Sequence, residues 1–542
     1  MIFDRLWRPA VVSVLVGIIV STVAGCPSAP PPDRLGELGA SSAAGSNLIV
    51  VLSDTHRLDH VTGFASGISD PTPNVARLMA DGIAFSNALT PVPISAPAYA
   101  TLMTGRSPIV HGLLNNNQHL GSELPLLQEE LERAGYRTAA VVSNPFCSAA
   151  FGFDRGFGFF WDQVEGHGKE GEVVTREAIS WLKANGDDRP FFLFLAYMDA
   201  HSPYISAAVP PSLRVTVNGV WLRDERAENT HVVQRYPVDL RPGRNRITLS
   251  FIDLGEPATP PEAPSPLHLT GLHLASGRKL ERVSGVAEVE GTSFERLANR
   301  AELVVDLPDR KPTTDELVFR CHRRYRPEQV PALYEAGVRS FDTSFGHLLD
   351  HLRETGLYDD AIVVFVADHG EMLGEHDAWG HVEHLDQPTL RIPLVVKAPG
   401  VPGGRIDTTP LGLSDLHDLL LDLTLGPDPT RSEARKARRN APFLAATYPP
   451  EGGSLQVAAI ENGLKVLIDA AGATHAFNVI DDPDETADLL PARSDDPDIA
   501  DLLGAASAEL AAAAAVEHLE LESLTADELD RLRALGYLED PS

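Results

Sequence analysis

The sequence contains little cysteine, with three residues of this type among 542. Cys26 closes an apolar run near the N-terminus, which leaves Cys147 and Cys321 for the body of the protein. Two thiols in a chain of this length cannot form a framework of several bridges. A small fold that depends on disulfides is therefore excluded.

Basic residues are also scarce relative to acidic ones. Lys and Arg number 45 against 76 Asp and Glu, which gives a formal net charge of −31. Proteins that hold nucleic acids present clustered Lys and Arg to the phosphate backbone. The charge therefore argues against a nucleic-acid partner, and it is typical of a solvated acidic surface.

One apolar run near the N-terminus is too short to span a bilayer comfortably. Arg5 and Arg8 precede AVVSVLVGIIVSTVAG, and the small residues at its end are typical of a signal-peptidase site. Val23-Ala24-Gly25-Cys26 resembles a bacterial lipobox, in which the Cys is lipidated and becomes the new N-terminus. We therefore predict a lipoprotein signal peptide over residues 1–26 and an exported protein that is lipid-anchored to the bacterial cell envelope. The alternative is an uncleaved membrane anchor with an incidental Cys.

The remainder of the chain is predicted to be an α/β domain interrupted by a β insert. Pro- and Ser-rich residues 27–46 predict a flexible tether. In residues 47–205 and again in 313–440, apolar strands alternate with amphipathic helices, which predicts a doubly wound, mostly parallel sheet flanked by helices. Residues 206–312 carry alternating strands between Pro- and Gly-rich turns and predict an inserted small β-sandwich, either a packing element or a binding module. Residues 441–542 predict a smaller C-terminal α+β segment.

Two of the apolar strands stop abruptly at a carboxylate. NLIVVLS is followed by Asp54, and AIVVFVA is followed by Asp368 and His369. Continuous β-branched and apolar runs fit strands that are buried on both faces of a parallel sheet. Ligands bind beyond the carboxyl ends of such strands, where two strand ends can direct several ligands to one hard cation. The pattern therefore indicates a metal-dependent hydrolase.

A third segment, PISAPAYATLMTGRSPIVHG, places a serine just before a predicted helix. The helix is predicted to begin near Pro97, because Pro is favoured in a first helical turn, and Ser95 lies immediately before it. A helix N-terminus offers free N–H groups and a positive dipole end to an anion. A hydroxyl held there beside a divalent cation is well placed to attack a sulfate or phosphate ester.

Taken together, these segments resemble the sulfatases of the alkaline-phosphatase superfamily. Family members carry D-[DT]-x-R-x-D, then [CST]-x-P-[ST]-[RH]-A-x-L-[LM]-T-G, H-x-P, S-D-H-G-E-x-x-G-E-H, a His before R-V-P-L, and a late D-P-x-E turn. The resemblance spans residues 47 to 542 except for the β insert. The matching residues are Asp54-Thr55-His56-Arg57-Leu58-Asp59, Ser95-Ala96-Pro97-Ala98-Tyr99 with Leu102-Met103-Thr104-Gly105, His201-Ser202-Pro203, Ala367-Asp368-His369-Gly370-Glu371 with Gly374-Glu375-His376, His381 before Arg391-Ile392-Pro393-Leu394, and Asp482-Pro483-Asp484-Glu485.

The resemblance implies a metal site and a nucleophile. Asp54, Asp368 and His369 would hold one divalent cation, and Ser95 would complete its shell toward the substrate. The oxygen-rich set favours Ca²⁺, while the nitrogen of His369 leaves other divalent metals open.

Two further histidines match the family pattern. His201 and His381 would bind the ester anion or protonate the leaving oxygen, since imidazole can do both near neutral pH. The alternative for each is a histidine that is only hydrogen-bonded in a loop at the end of a strand.

Two departures from the family pattern bear on the reaction type. In sulfatases a Cys or Ser is oxidised to formylglycine, and the modifying machinery requires an Arg four residues later. Here that position holds Tyr99, which cannot clamp an anion in a bidentate manner. The family's G-K-W-H segment is replaced by Val142-Ser143-Asn144-Pro145. Tyr99 and Asn144 would contact the substrate as neutral groups, and formylglycine at Ser95 is disfavoured.

Three functions remain after these departures. The leading prediction is a metal-dependent sulfatase-like hydrolase that cleaves sulfate esters, on a small molecule or a glycan. The second is a phosphomonoester or phosphodiester hydrolase that uses unmodified Ser95, because the two anions share shape and in-line displacement. The third is a surface binding protein that has lost catalysis.

Overall fold

A computed structural model gives the fold for most of the chain. The predicted signal peptide, Pro203 of the H-x-P motif and the last part of the predicted C-terminal segment, residues 518–542, lie outside the described residues, as does most of the predicted tether. The described residues are 38, 43–65, 67–68, 70–162, 171–185, 189–202, 212–218, 220–226, 233–252, 264–288, 294–308, 311–323, 329–448 and 454–517.

Strands and helices alternate along the first α/β stretch, as the sequence pattern predicted. The strands are β1 (Leu48–Ser53), β2 (Ile83–Leu89), β3 (Arg137–Val142), β4 (Phe159–Trp161) and β5 (Phe191–Tyr197). The helices are α1 (Pro73–Asp81), α2 (Ser95–Thr104), α3 (Pro108–His111), α4 (Leu127–Arg133) and α5 (Gly171–Ala184), with short 3₁₀ turns at Leu58–His60, Pro145–Cys147 and Ala149–Phe151. Every residue of β1 and β5 is buried, as expected for strands that are covered on both faces.

The β insert forms one curled antiparallel sheet around an aliphatic core. Its strands are β6 (Ser212–Val217), β7 (Val220–Arg226), β8 (Val233–Leu240), β9 (Gly243–Ile252), β10 (Pro264–Leu274), β11 (Glu281–Glu288), β12 (Phe294–Leu307) and β13 (Thr313–Arg323). They pair in the order β7-β6-β9-β12-β10-β13-β8, with β11 on β12, rather than as the two separate sheets of a sandwich. The predicted boundary at residue 312 is wrong, because β13 pairs with β8 and β10. Charged residues in TTDELVFRCHR conceal the alternating pattern there.

The α/β pattern resumes after the insert. The elements are α6 (Val330–Glu354), β14 (Ile362–Val366), β15 (Met372–Leu373), β16 (Trp379–Gly380), α7 (Gln387–Leu390), β17 (Arg391–Lys397), β18 (Arg405–Asp407), β19 (Leu411–Gly412), α8 (Leu413–Leu425) and α9 (Pro429–Arg439), with a 3₁₀ turn at Glu375–Asp377. The amphipathic helix α6 buries Phe341 and Phe345 against Phe365 of β14.

A mixed, mostly parallel sheet joins the two stretches. Its order is β18-β2-β17-β14-β1-β5-β3-β4, with β19 on β2. Strands β14, β1, β5, β3 and β4 are mutually parallel, and β17 is antiparallel to both β14 and β2. Apolar clusters cover both faces of the sheet. The predicted doubly wound fold is confirmed, and the carboxyl ends of β1, β2, β3, β5 and β14 lie at one edge of the sheet.

A small C-terminal unit packs beside the main sheet. It consists of an antiparallel sheet, β20 (Phe443–Ala446), β21 (Gln456–Glu461), β22 (Leu464–Asp469) and β23 (Thr474–Asn478), with helices α10 (Leu490–Arg493) and α11 (Pro497–Glu517). The buried ammonium of Lys465 donates to Glu485 at 2.7–2.8 Å and to the carbonyl of Leu385. The hydrogen bond to Leu385 attaches the unit to the loop that precedes α7.

Two helical glycines offer a matched test of how closely helices α6 and α11 pack against their neighbours. An added Cβ at Gly337 in α6 would lie 2.1 Å from the carbonyl oxygen of Asp199, whereas a Cβ at Gly504 in α11 would meet nothing within 4 Å. We expect Gly337→Ala to lower the free energy of unfolding by about 1–3 kcal/mol through overpacking. Gly504→Ala should raise it by up to about 1 kcal/mol through helix propensity. Thermal or denaturant unfolding measures both, and equal effects would contradict the described packing of α6.

Candidate active site

Asp54, Asp368 and His369 converge at the carboxyl edge of the sheet. Leu52 of β1 is in register with Val366 of β14, so the two strands deliver their carboxylates at the same level. All three side chains are fully buried, and one potential ligand atom from each lies within 4.8 Å of the others. The structure thus brings together the three predicted metal ligands.

Backbone groups hold the Asp368 carboxylate in place. Its Oδ1 accepts hydrogen bonds from the backbone N–H of His369 at 2.9 Å and from that of Thr55 at 3.1 Å. Thr55 adopts φ +55°, a left-handed conformation that a β-branched residue rarely adopts. The hydroxyl of Tyr334 on α6 donates to the Thr55 carbonyl at 2.7 Å and accepts from the Arg57 N–H at 2.8 Å. Helix α6 therefore supports the strained turn that directs the backbone N–H of Thr55 toward the Asp368 carboxylate.

The orientation of His369 leaves one ring nitrogen for a ligand. Its Nδ1 lies 3.0 Å from the carbonyl oxygen of Gly370 and is therefore the N–H donor. Its Nε2 lies 3.3 Å from Asp368 Oδ2 and 3.4 Å from Ser95 Oγ. The unprotonated nitrogen thus faces the acidic pair and the predicted nucleophile.

The electrostatics of this cluster fit one divalent cation. Burial, together with the negative charge of Asp54, raises the pKa of Asp368 well above its usual value. Burial, with the neighbouring His381, lowers the pKa of His369 well below its usual value. Two buried carboxylates that face a neutral imidazole are unfavourable without a compensating positive charge. A cation bound by Asp54, Asp368 and His369 would supply that charge.

Ser95 is the first residue of α2 and lies beside the cluster. Its side chain is buried, and the loop after β2 places it at the same edge of the sheet as the carboxylates. Asn116 accepts a hydrogen bond from the Ala96 N–H at 3.0 Å, which satisfies one of the free donors in the first turn. Ser95 therefore occupies a helix N-terminus next to the candidate cation site, as the sequence predicted.

His201 and His381 complete a row of imidazoles. The ring of His381 lies 4.4 Å from that of His369, and the ring of His201 lies 5.5 Å from that of His381, both measured between centroids. His201 follows β5, and His381 follows the hairpin of β15 and β16. Both predicted histidines thus lie in one cluster with the candidate ligands.

Tyr99 lies one helical turn after Ser95 and is neutral. Its ring packs edge-on against Phe153 and Phe194, and its side chain is almost completely buried. Burial, together with the charge of Asp54, raises the pKa of Tyr99 well above its usual value. Its hydroxyl has no hydrogen-bond partner in the part of the chain that the structure describes. Tyr99 is therefore a neutral donor that remains available near the acidic pair.

Asn144 contacts a candidate metal ligand rather than open space. Its Nδ2 donates to Asp54 Oδ2 at 2.6 Å, and its Oδ1 accepts from the Phe146 N–H at 2.9 Å. Each amide atom thus has a protein partner, and the predicted contact of Asn144 with the substrate stays a prediction. Asn144 orients Asp54, a use of the G-K-W-H position that the sequence pattern did not indicate.

The sequence prediction also missed a buried network of ion pairs that holds together the segments carrying the site. Arg57 is buried and forms a bidentate pair with Asp59 while also donating to Glu375 and to the Glu371 carbonyl. Burial opposes its charge, but the hydrogen bond and charge of Asp59 raise the pKa of Arg57 overall. Because these acceptors use its donors, Arg57 has a structural role. Arg57, Asp59 and Glu375 all match the family motifs, and this match is the feature of the sequence that could have identified them.

Comparison with known proteins gives a consistent family match. A model of the sulfatase family matches residues 46–427. A multifunctional alkaline phosphatase superfamily protein from Trinickia caryophylli is 24% identical over 425 residues, covering 75% of this chain and 78% of the relative. An N-acetylglucosamine-6-O-sulfatase from Bacteroides thetaiotaomicron is 21% identical and covers 65% of this chain and 63% of its own length. A choline-sulfatase from Rhizobium meliloti is 24% identical, with coverages of 70% and 67%.

Solved structures share the fold. A structure in complex with its substrate D-glucosamine-2-N,6-O-disulfate superposes with a TM-score of 0.57 at 14% identity, covering 86% of this chain and 98% of the other. A phosphonate monoester hydrolase of Agrobacterium radiobacter superposes with a TM-score of 0.54 at 16% identity, covering 87% and 96%. At these identities the likeness establishes the architecture of the chain.

Cation binding should couple to stability through Asp368. Because its folded-state pKa is raised, the metal-free protein is stabilised by a protonated Asp368 at acidic pH and loses that contribution as the pH rises. In chelator we expect Asp368→Asn to melt at a higher temperature than the wild type, with a gap that widens from about pH 4 upward. Added calcium should raise the Tm of the wild type and leave that of Asp368→Asn unchanged. Equal shifts in the Tm of both proteins on addition of calcium would contradict the assignment of Asp368 as a ligand of the cation.

Proposed function

The chain belongs to the sulfatase family and is a hydrolase of sulfate esters, and we propose that Ser95 is its attacking group. The family match covers residues 46–427, which include every candidate site residue. The observation that carries the proposal is the position of Ser95 Oγ, 3.4 Å from His369 Nε2 within the buried cluster. The same geometry argues against a binding protein that has lost catalysis, because its ligands and its nucleophile remain converged.

Asp54, Asp368 and His369 are proposed to hold a divalent cation, with Ser95 beside it. When bound, the cation lowers the pKa of the Ser95 hydroxyl and neutralises the non-bridging oxygens of the ester. We favour calcium, since two carboxylates and a hydroxyl are hard oxygen donors. Asn144 holds Asp54 in orientation through its 2.6 Å hydrogen bond.

The reaction is proposed to proceed by in-line displacement. Ser95 releases its hydroxyl proton to solvent, its Oγ attacks the sulfur, and the bond between sulfur and the leaving oxygen breaks as His381 donates a proton to that oxygen. His201, whose ring lies 5.5 Å from that of His381, binds an anionic oxygen of the ester. Water deprotonated by His381 then attacks the same sulfur, the bond between sulfur and Ser95 Oγ breaks, and Oγ takes back a proton from solvent.

The proposed substrate is a sulfated glycan or a smaller sulfated molecule. Relatives include an N-acetylglucosamine-6-O-sulfatase and an ulvan-active sulfatase from Formosa agariphila. A structural neighbour was solved with a disulfated glucosamine. These relatives support a glycan substrate class for this chain.

Hydrolysis of phosphate mono- or diesters is the second candidate. Tyr99 is buried and neutral where the family pattern has an Arg, which disfavours conversion of Ser95 to formylglycine. An unmodified serine forms a covalent ester that is released more easily as phosphate than as sulfate. One relative is described as multifunctional within the alkaline phosphatase superfamily, which supports a broader anion range.

We also propose that the protein is lipid-anchored through Cys26 at the cell envelope. The support is the lipobox-like sequence Val23-Ala24-Gly25-Cys26 after a short apolar run. Expression in a bacterial host with labelled palmitate should label the wild type and not Cys26→Ala. Label that persists in the variant would exclude Cys26 as the attachment site.

Paired assays test the role of Ser95 directly. We expect turnover of an aryl sulfate that chelator abolishes, and a loss of more than about 10³-fold in kcat for Ser95→Ala, since the attacking atom is removed. The mass of the peptide that contains Ser95 should show no loss of two hydrogen atoms.

Ser107→Ala is the matched control, because Ser107 lies in the next loop and immediately precedes α3. It should retain the turnover of the wild type. Turnover of aryl phosphate without aryl sulfate would favour the second candidate, and chelator-resistant turnover would contradict a metal-dependent mechanism.

A further inference from the structure

A small hairpin brings Glu371 and His381 face to face. Strands β15 and β16 pair Met372 with Gly380 and Leu373 with Trp379. One further step along this antiparallel register places Glu371 opposite His381. The two residues are ten positions apart in sequence, yet the hairpin makes them cross-strand neighbours at its open end.

Glu371 presents a buried carboxylate to the imidazole. The Glu371 side chain is 2% exposed and the His381 side chain is 11% exposed, and Oε1 lies 3.3 Å from Nδ1. The other carboxylate oxygen, Oε2, is buried and has no hydrogen-bond partner among the described residues. A buried carboxylate is unfavourable unless a partner compensates it. Within the described contacts, His381 is the side chain that does so.

The backbone of Glu371 is fixed by other groups. Arg57 Nη1 donates to the Glu371 carbonyl at 3.0 Å and to Glu375 Oε1 at 2.7 Å, while Glu375 Oε2 accepts from the Leu373 N–H at 2.7 Å. These contacts hold the hairpin without using the Glu371 carboxylate. The carboxylate therefore remains free to act on His381.

We propose that Glu371 is a positioning residue for His381 in the hydrolysis. In this arrangement Nδ1–H of His381 donates to Glu371 Oε1, which fixes the tautomer and directs Nε2 toward the leaving oxygen of the ester. The hydrogen bond that one ring nitrogen makes sets the role of the other. The inference rests on the proposed function, in which His381 protonates the leaving oxygen.

A positioning role has a signature that a purely structural role lacks. Proton donation matters for an ester whose leaving group is a poor alkoxide, and it matters little for a nitrophenyl ester, whose leaving group departs as a stable anion. Loss of the Glu371–His381 contact should therefore slow the hydrolysis of the two esters by different factors. A loosened hairpin would slow both by the same factor.

The test compares Glu371→Ala with the wild type on a nitrophenyl sulfate and an alkyl or sugar sulfate. We expect kcat/KM to fall by about 10²-fold or more for the alkyl or sugar ester and by less than about tenfold for the nitrophenyl ester. Glu371→Gln, whose amide oxygen can still accept from Nδ1–H, should recover most of the loss. His381→Ala should show the same selectivity, and the double variant should be no slower than His381→Ala alone.

Glu375→Gln is the matched control, because Glu375 belongs to the same hairpin but contacts Arg57 instead of a histidine. Glu375→Gln should slow the hydrolysis of both esters by similar factors. Equal losses on both esters for Glu371→Ala, or losses that add in the double variant, would overturn the proposal. If the wild type hydrolyses phosphodiesters but not sulfates, the sulfatase proposal fails, and the same comparison on phosphodiesters decides the role of Glu371. A wild type that hydrolyses neither would overturn both.

Discussion

The structure depends on two carboxylates that are buried side by side. Asp54 and Asp368 are both inaccessible to solvent, and the nearest imidazole, His369, directs an unprotonated nitrogen at them. Such a group of ligands is unfavourable unless a cation binds it. Three groups hold this arrangement in place. They are the strained backbone of Thr55, the Tyr334 hydroxyl that donates to the Thr55 carbonyl, and the Asn144 amide that donates to Asp54.

The parallel sheet is what makes the arrangement possible. Thr55 and Asp368 are 313 positions apart, and they meet because β1 and β14 are adjacent and in register. Neighbouring strand ends supply Asn144 and His201, and the loop after β2 supplies Ser95 at a helix N-terminus. The large β insert follows the carboxyl end of β5, and its strands form a sheet of their own without interrupting the main sheet.

The parts of the site that follow from strand endings could be predicted from sequence. An apolar run that stops at a carboxylate identifies Asp54 and Asp368, and a Pro near a helix start locates Ser95. The contact between Glu371 and His381 could not be predicted, because the two-residue strands β15 and β16 are too short to show an alternating pattern. The use of Asn144 on Asp54 depends on a tertiary contact, and the charged sequence of β13 conceals its place in the insert.

The central claim is that one cation is held jointly by the ends of β1 and β14 in front of Ser95. Long-wavelength diffraction from crystals grown with calcium tests it most directly, since the anomalous signal locates the ion itself. The account predicts one strong peak about 2.3–2.6 Å from carboxylate oxygens of Asp54 and Asp368. A peak elsewhere on the protein, or side chains of Asp54 and Asp368 that diverge with no ion between them, would contradict it.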